Sequence, residues 1–449
     1  MKSLAAFSSL ATLTLAASQF DTSSYNPSDI ITRDVAVIGG GSSGTFGAFK
    51  LKDRGKSVVV IESQGQLGGH IETYTDPATG ATLDYGVHEF WNISLVTDFF
   101  ARFNVPIEDF VFPSEPAIYA DFKTGQVLSN FTVGSNFTAY IEQLDRYPDL
   151  AYGWDLTYPV ADDLLLPFGD FITKYGLEAE AYNMFTLLPG VGNILEQSTV
   201  NIFKGITKIL FDSEAGSSIA VTNTNNQLLY EKAQAALGTD ALLNSTVINA
   251  QRPTDNSNCT LVVMTPTGNK LIVAKHILVT IPLLLDNMQS FGLDSDESSL
   301  FQQFNYTAWY PGLIRNTGLS FSNRYLNVGA NTLYNIPELP GIYTLIPTKE
   351  DGVFLYWYGA QNALTESEVK DSITSSIKAL GGVAPEFMVF GNHTPYELVV
   401  PVDAIKNGFY KDLNALQGYR NTWYTGGLFV GASGPLWNFT NTLVGQMTA

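Results

Sequence analysis

Gly39, Gly41 and Gly44 have the spacing G-x-G-x-x-G and directly follow the β-branched run Asp34-Val35-Ala36-Val37-Ile38. Thr45–Leu51 behind them reads as a helix, Ser57–Ile61 as a second strand, and Glu62 closes that strand 23 residues after Gly39. The chemistry this offers is diphosphate binding. The first glycine permits a tight strand-to-helix turn, the second lets backbone approach a pyrophosphate, and the third lets the helix pack on the sheet. The helix N-terminus, with Ser43 just ahead of it, presents N–H groups and a favourable dipole, and the Glu62 carboxylate accepts ribose hydroxyls. An acid rather than an arginine here disfavours a 2′-phosphate, and with it NADP. Glycine-rich turns are common, so the triplet alone would be weak; strand, glycines, helix, strand and acid in order predict a dinucleotide-binding βαβ unit.

His88 and Glu89 are the next residues with chemistry to offer. An imidazole beside a carboxylate can take or give a proton near neutral pH, the alternative being a satisfied structural histidine. Metal chemistry is not indicated. The chain has one cysteine, Cys259, and four histidines (His70, His88, His276, His393), none at i, i+4 spacing. That excludes an intrachain disulfide and a thiolate cluster and argues against a zinc hydrolase.

Ser63-Gln64-Gly65-Gln66-Leu67-Gly68-Gly69-His70 and Thr82–Trp91, with Asp84-Tyr85-Gly86 inside it, resemble the double-glycine segment and the flavin-side D-x-G turn of the flavin-containing amine oxidoreductases. Leu228–Leu237 with Leu242–Ile248, His276–Pro282 and Thr422–Phe429 are similar to that family's later helix and strands, and Gly434-Pro435-Leu436-Trp437 to the start of its last, short helix. The segment Gly68–Tyr74, together with the apolar N-terminus, looks most like the exported, β-cyclopiazonate dehydrogenase-like branch. The resemblance implies an α/β fold: a Rossmann-like FAD-binding domain of the glutathione-reductase type carrying an inserted α+β substrate domain. It implies FAD, held by Gly39, Gly41, Ser43, Gly44, Glu62, Ser63, Gly69, His70, Gly86, Val87, Val247, Gly426, Gly427, Leu436 and Trp437. The implied reaction is removal of a hydride from an amine-adjacent or otherwise activated carbon of a small aromatic or apolar metabolite, with oxidative cyclisation as one form. Oxygen or another carrier would then accept the electrons, and His88 and Glu89 would be the catalytic pair. Two other readings use the same fold: a flavin-dependent isomerase, and a protein that binds FAD or a metabolite without turnover.

The chain departs from that family in three places. Relatives usually carry arginine where this chain has His70, and an imidazole does not reproduce a permanent bidentate phosphate contact. Two uses of His70 stay open: a hydrogen bond to the cofactor, or covalent attachment to the flavin 8α-methyl. No cysteine occurs in Tyr424–Leu428, so the cysteinyl linkage of monoamine oxidases is absent. No lysine lies between Lys275 and Lys349, where many amine oxidases place one near flavin N5.

The elements that must position these residues fall into two groups. Segments 30–91, 216–285 and 396–449 form the discontinuous FAD-binding domain; 92–215 and 286–395 carry no dinucleotide signal and form the substrate domain. The first insertion reads as helical (Leu95–Phe103, Phe137–Leu144, Leu164–Tyr175, Leu177–Leu188), and Gly216–Gln227 as a polar loop. The second alternates apolar and polar residues at Gly318–Phe321 and Gly352–Tyr358, which predicts antiparallel strands. Aromatic residues are dense in both, which suits a tunnel for a planar substrate as well as an ordinary core. The length of 449 residues is ample for such a core, and the net charge of −19 argues against nucleic acid or an anionic membrane surface as partner. Residues 1–18, one lysine and an apolar run ending Ala16-Ala17-Ser18, read as a signal peptide and predict export. Sequons at Asn92, Asn130, Asn136, Asn244, Asn258, Asn305, Asn392 and Asn438 agree with that route, although Asn438 is expected to lie buried against the flavin.

Overall fold

The computed structural model describes residues 19–111, 113–211, 218–255 and 257–449. The signal-peptide reading of residues 1–18, the start of the segment at 216, and the loop reading of residues 216–217 lie outside the described residues. Strand β1 (Ile30–Ile38) runs into the glycine turn, helix α1 (Ser42–Asp53) leaves it, and β2 (Val58–Ile61) returns parallel to β1, Ile38 opposite Ile61. On its other side β1 pairs in parallel with the long strand Gly268–Val279, Ile38 opposite Val279. Strands enclosed on both faces are expected as unbroken apolar runs, and Val35–Ile38 and Val58–Ile61 are buried without interruption. Strands Cys259–Thr265 and Thr246–Gln251 extend this sheet antiparallel, Ala241–Leu242 borders β2, and Thr422–Tyr424 pairs with Gly268–Val279. The C-terminal helix Ser433–Met447 packs on α1, with Trp437 stacked on Phe46 at 4.9 Å.

A second, six-stranded sheet is ordered Glu386–Phe390, Ala308–Arg315, Val353–Ala360, Gly341–Pro347, Arg324–Asn327, Ala117–Ala120. Helix Glu366–Ala379 lays Val369, Ile373 and Ile377 on one face, against Tyr310, Ile314, Phe354, Tyr356 and Tyr358. Alternation then sends Trp309 and Trp357 to the opposite face, toward the dinucleotide domain. A register shift between Ile342 and Thr344 re-aims Tyr343 to that face too, over Gly359, where a Cβ would come within 2.6 Å of the ring. The halves are stitched by small sheets: Phe90–Trp91 and Ile107–Asp109 on Ser218–Val221, and Asn305–Tyr306 on Leu398–Val399.

Several local expectations are corrected. Pro167 splits the helix expected over Leu164–Tyr175 into Asp162–Leu165 and Phe168–Tyr175, since the residue before a proline avoids the helical region. The next helix starts at Ala181. Gly318–Phe321 is not a strand, because Asn316 and Gly318 take φ of +59° and +71° and turn the chain away after Arg315. Ser218–Val221, expected as polar loop, is a strand with Ile219 and Val221 buried. The last helix, expected to be short, has 15 residues, and Asn438, expected to be buried, sits on its exposed side.

Arg252 and Glu297 form a doubly bonded ion pair (2.7 Å for each bond) whose side chains are both 0% exposed. Arg252 also donates to the carbonyl of Phe291, and Tyr424 and Arg420 complete the shell of Glu297. This joins the antiparallel edge of the first sheet, helix Ser295–Phe301 and the last strand. Arg252→Leu leaves a buried carboxylate short of its main partner and is expected to cost about 3–5 kcal/mol, read as a lower urea midpoint. The double variant Arg252→Leu/Glu297→Leu should recover most of that loss; equal losses would show that the charges are not coupled.

Candidate active site

The dinucleotide half is built almost entirely from backbone. Gly39 takes φ +99°, and a Cβ at Gly44 would lie 2.0 Å from the Gly39 carbonyl oxygen, so neither position admits a side chain. Gly41 differs: its Cβ position has only Gly69 Cα nearby, at 3.7 Å, so its backbone is open to a ligand. Gly68 and Gly69 (φ +132° and +60°) face it across the groove, bridged to it by the Gly68 N–H on the Gly40 carbonyl at 2.9 Å. The first-turn amides of α1, including that of buried Ser43, have no partner within the helix. Glu62 accepts from the Gly40 N–H (2.6 Å), the Gln64 N–H (2.7 Å) and the Ser63 hydroxyl (3.2 Å). Asn244 and Ser245 donate to the carbonyls of Gln64 and Glu62, which brings the strand carrying buried Val247 alongside. These residues fit a dinucleotide: a side-chain-free groove at a helix N-terminus with a fixed carboxylate at one end.

Two further segments close on this turn: Gly86 on the carbonyl of His70, next to Gly69, and Gly426 on Thr280, which bonds the Gly39 carbonyl. A Cβ at Gly86 would lie 2.1 Å from the His70 carbonyl, so the Asp84–His88 turn is pressed against the double-glycine segment. Asn226, fully buried, holds that turn: its N–H donates to Asp84 and its amide to the carbonyls of Val87 and His88. Burial pushes the Asp84 carboxyl up to about 6 against the hydrogen bonds from Thr73 and Asn226. Gly426 packs on the Thr280 carbonyl, whereas a Cβ at Gly427 would meet nothing within 4 Å. Leu436 and Trp437 are buried, and the Trp437 Nε1–H donates to Ser42 at 2.9 Å. Its ring is therefore taken up by packing the last helix on α1, rather than free for the cofactor as expected.

Ring contacts connect the two predicted histidines. His88 meets Trp357 (5.8 Å between ring centroids), Trp357 meets Trp309 (6.0 Å), Trp309 stacks on Tyr396 (5.7 Å), and Tyr396 on His70 (5.7 Å). His70 stacks in parallel on His393 at 4.2 Å, and His393 Nε2 lies 2.9 Å from Glu72 Oε2. His70, His88, Trp357 and Tyr396 keep solvent exposure deep in the molecule, as walls of an interior cleft do. Burial drives the His70 ring down to about 3, with His393 adding to the shift, and the His88 ring down to about 4. Both imidazoles are thus neutral at physiological pH. Burial raises the Glu89 carboxyl, and neither its Oε2 nor His88 Nε2 has a hydrogen-bond partner among the described residues. Asn226, Trp309, Tyr343, His393 and Tyr396 were not singled out from sequence. Their only signal there was polar and aromatic residue type, because the turns and register that aim them involve contacts across hundreds of residues.

The groove predicts a clean separation of folding from cofactor binding. Gly427→Leu places a side chain in open space and should leave far-ultraviolet circular dichroism unchanged while lowering the flavin-to-protein absorbance ratio several-fold. Full flavin content in this variant would remove Gly427 from the cofactor site.

Comparison with known proteins agrees with this geometry. Residues 37–103 match the family model described as an NAD(P)-binding Rossmann-like domain. An FAD-dependent oxidoreductase of Monascus ruber is 44% identical over 438 residues, 95% of this chain and 94% of its own. One from Emericella nidulans is 41% identical over 97% of this chain and 95% of its own. The β-cyclopiazonate dehydrogenase of Aspergillus oryzae is 32% identical, covering 94% of both chains. Among solved structures, a fatty acid isomerase from P. acnes that produces CLA superposes with TM-score 0.71 at 15% identity, over 92% of this chain and 98% of that one. A putrescine oxidase variant gives TM-score 0.67 at 17% identity, over 93% and 98%. These two share the fold. The relatives share sequence along nearly the whole chain, and this chain belongs to their family, the FAD-dependent oxidoreductases that include β-cyclopiazonate dehydrogenase.

Proposed function

We propose that the protein is an exported dehydrogenase or oxidase that removes a hydride from an activated carbon, beside nitrogen or in an allylic or benzylic position, of a planar aromatic or apolar metabolite. Oxidative cyclisation is one outcome such a reaction reaches, and oxygen or another carrier receives the electrons. The observation that carries the substrate class is the run of aromatic faces from His88 through Trp357, Trp309 and Tyr396 to His70. Flat faces arranged around a cleft favour a flat guest and exclude water from it.

Bound FAD supplies a hydride acceptor. The chain's own part is to hold and orient. The Gly41 and Gly69 backbones and the start of α1 would grip the diphosphate, and Glu62 the ribose. His88 borders the passage through its contact with Trp357, and its Nε2, like Glu89 Oε2, is buried without a hydrogen-bond partner among the described residues. As a neutral ring, His88 accepts or donates a hydrogen bond without bringing charge to the cleft. His70 is read as a hydrogen-bonding neighbour of the cofactor, its one face being occupied by His393. Export is supported by the positions of the sequons: Asn130, Asn136, Asn244, Asn258, Asn305, Asn392 and Asn438 are all exposed. Asn92 is half-buried.

The fold is shared with a fatty acid isomerase, so the test must separate oxidation from isomerisation. Planar aromatic and amine-bearing metabolites are mixed anaerobically with protein purified from culture medium, and product mass is measured. The expected result is bleaching of the flavin and a product two hydrogens lighter. A product of unchanged mass would establish isomerisation, and a flavin that no candidate reduces would favour binding without turnover.

A further inference from the structure

Lys204, on the helix Thr199–Gly205, ends among three backbone carbonyls: Leu150 at 2.9 Å, Gly153 at 3.0 Å and Phe429 at 2.6 Å. Its Nζ lies 4.9 Å from the ring centroid of Trp154, whose Nε1–H donates to the Leu428 carbonyl at 2.7 Å. The two side chains tie the first insertion to the turn that follows Gly427, at the open end of the cofactor groove. A lone lysine in a helix reads from sequence as a surface residue. Here it brings a cation to the groove from a segment far from the stretch that lacks lysine.

Glu397 faces the same space. Its backbone is fixed by Thr307, which donates its N–H to the Glu397 carbonyl at 3.0 Å and accepts the Glu397 N–H on its hydroxyl at 3.2 Å. Its carboxylate takes no hydrogen bond from any described residue and lies too far from Lys204 for a direct ion pair. Both side chains line one small cavity of about 30 Å³, shared with Asn201, Gly427 and Leu428. A cavity of that size lined by Lys204, Glu397 and Asn201 holds water, and Gly427, on its wall, has no atom within 4 Å of its Cβ position. The groups that act on Glu397 electrostatically are Lys204, Tyr396 and Tyr410, and burial raises both tyrosine hydroxyls far enough that they stay neutral.

Burial pulls the Lys204 ammonium down to about 7 and pushes the Glu397 carboxyl up to about 7, each offset by the other's charge. Geometry decides which of them titrates. Three carbonyl acceptors need three N–H donors, which the ammonium has and the neutral amine does not. Lys204 keeps its proton, and Glu397 is the group whose charge changes.

We propose that Glu397 is the proton acceptor of the oxidation and Lys204 its positioning residue. The inference rests on the FAD-oxidoreductase reading above. The substrate carbon loses a hydride to the flavin, and the proton on the neighbouring nitrogen or oxygen passes through water in the cavity to the Glu397 carboxylate. The product carries one new double bond and has lost two hydrogens, one as hydride and one as proton. Glu397 returns its proton to solvent as the product leaves. Lys204 lowers the energy of the ionised carboxylate and holds the Gly427–Phe429 turn in place.

The test is a pH titration of the visible spectrum of the purified holoprotein, wild type against Glu397→Gln and Lys204→Met, with flavin content measured in each. Wild type should show a transition near pH 7 that Glu397→Gln lacks at full flavin content. Lys204→Met should move the transition upward, since removing the cation disfavours the charged carboxylate. With any reducing substrate, anaerobic flavin reduction at pH 8 should slow about 10²–10⁴-fold in Glu397→Gln. If that variant fails to fold, Glu397→Asp should keep the transition at a displaced midpoint. A yellow wild type whose transition survives unchanged in Glu397→Gln, or whose midpoint is unmoved in Glu397→Asp, overturns the inference alone. A colourless wild type overturns the flavoprotein reading with it.

Discussion

Where β1 turns into α1, the peptide of Gly39 and the helix at Gly44 approach so closely that a side chain at Gly44 would lie 2.0 Å from a carbonyl oxygen. The rest of the molecule depends on that contact. It aims the helix N-terminus at the groove and brings Thr280, just past the end of the neighbouring strand, within reach of the Ile38 and Gly39 carbonyls, at 2.9 and 3.1 Å. It also sets the axis on which the C-terminal helix packs through Trp437. Glycine alone permits the approach, and its conformational freedom is the entropy cost the turn carries.

Everything opposite the groove serves to close it. The second sheet turns one face to its own helix and the other to the cofactor side, so its aromatic residues have two different jobs. Tyr310, Tyr356 and Tyr358 make core with Ile373, whereas Trp309 and Tyr343 pack on the opposite face behind Trp357, which keeps its exposure toward the cleft. Small paired strands and the Arg252–Glu297 bond hold the two halves in one arrangement. A cleft built between rigid sheets can keep a planar substrate in register with a cofactor that the backbone grips from the other side.

The dinucleotide half was legible because its parts are contiguous: strand, glycines, helix, strand and acid fall within about 35 residues. The segments at Gly68–His70 and Asp84–Glu89 were legible by resemblance, and the structure brings both to the groove. What sequence did not reveal depends on distant contacts. His393 reaches Glu72 across 321 positions, and Asn226 grips a turn 138 to 142 residues earlier. Nothing in the sequence pairs Lys204 with Leu150, Gly153 and Phe429, and Trp437, in a segment that matched a cofactor helix, is instead locked in the core. A one-residue bulge aims Tyr343, and residue types do not show where a bulge falls.

The backbone groove holds FAD, and the hydrogen-bonding role proposed for His70 adds that the flavin leaves the protein on denaturation. Acid precipitation of the purified protein, with mass identification of the released flavin, tests it most directly. The account predicts FAD in the supernatant, one per chain, above a colourless pellet. Colour retained in the pellet, or a released flavin that lacks the adenosine half, would contradict it.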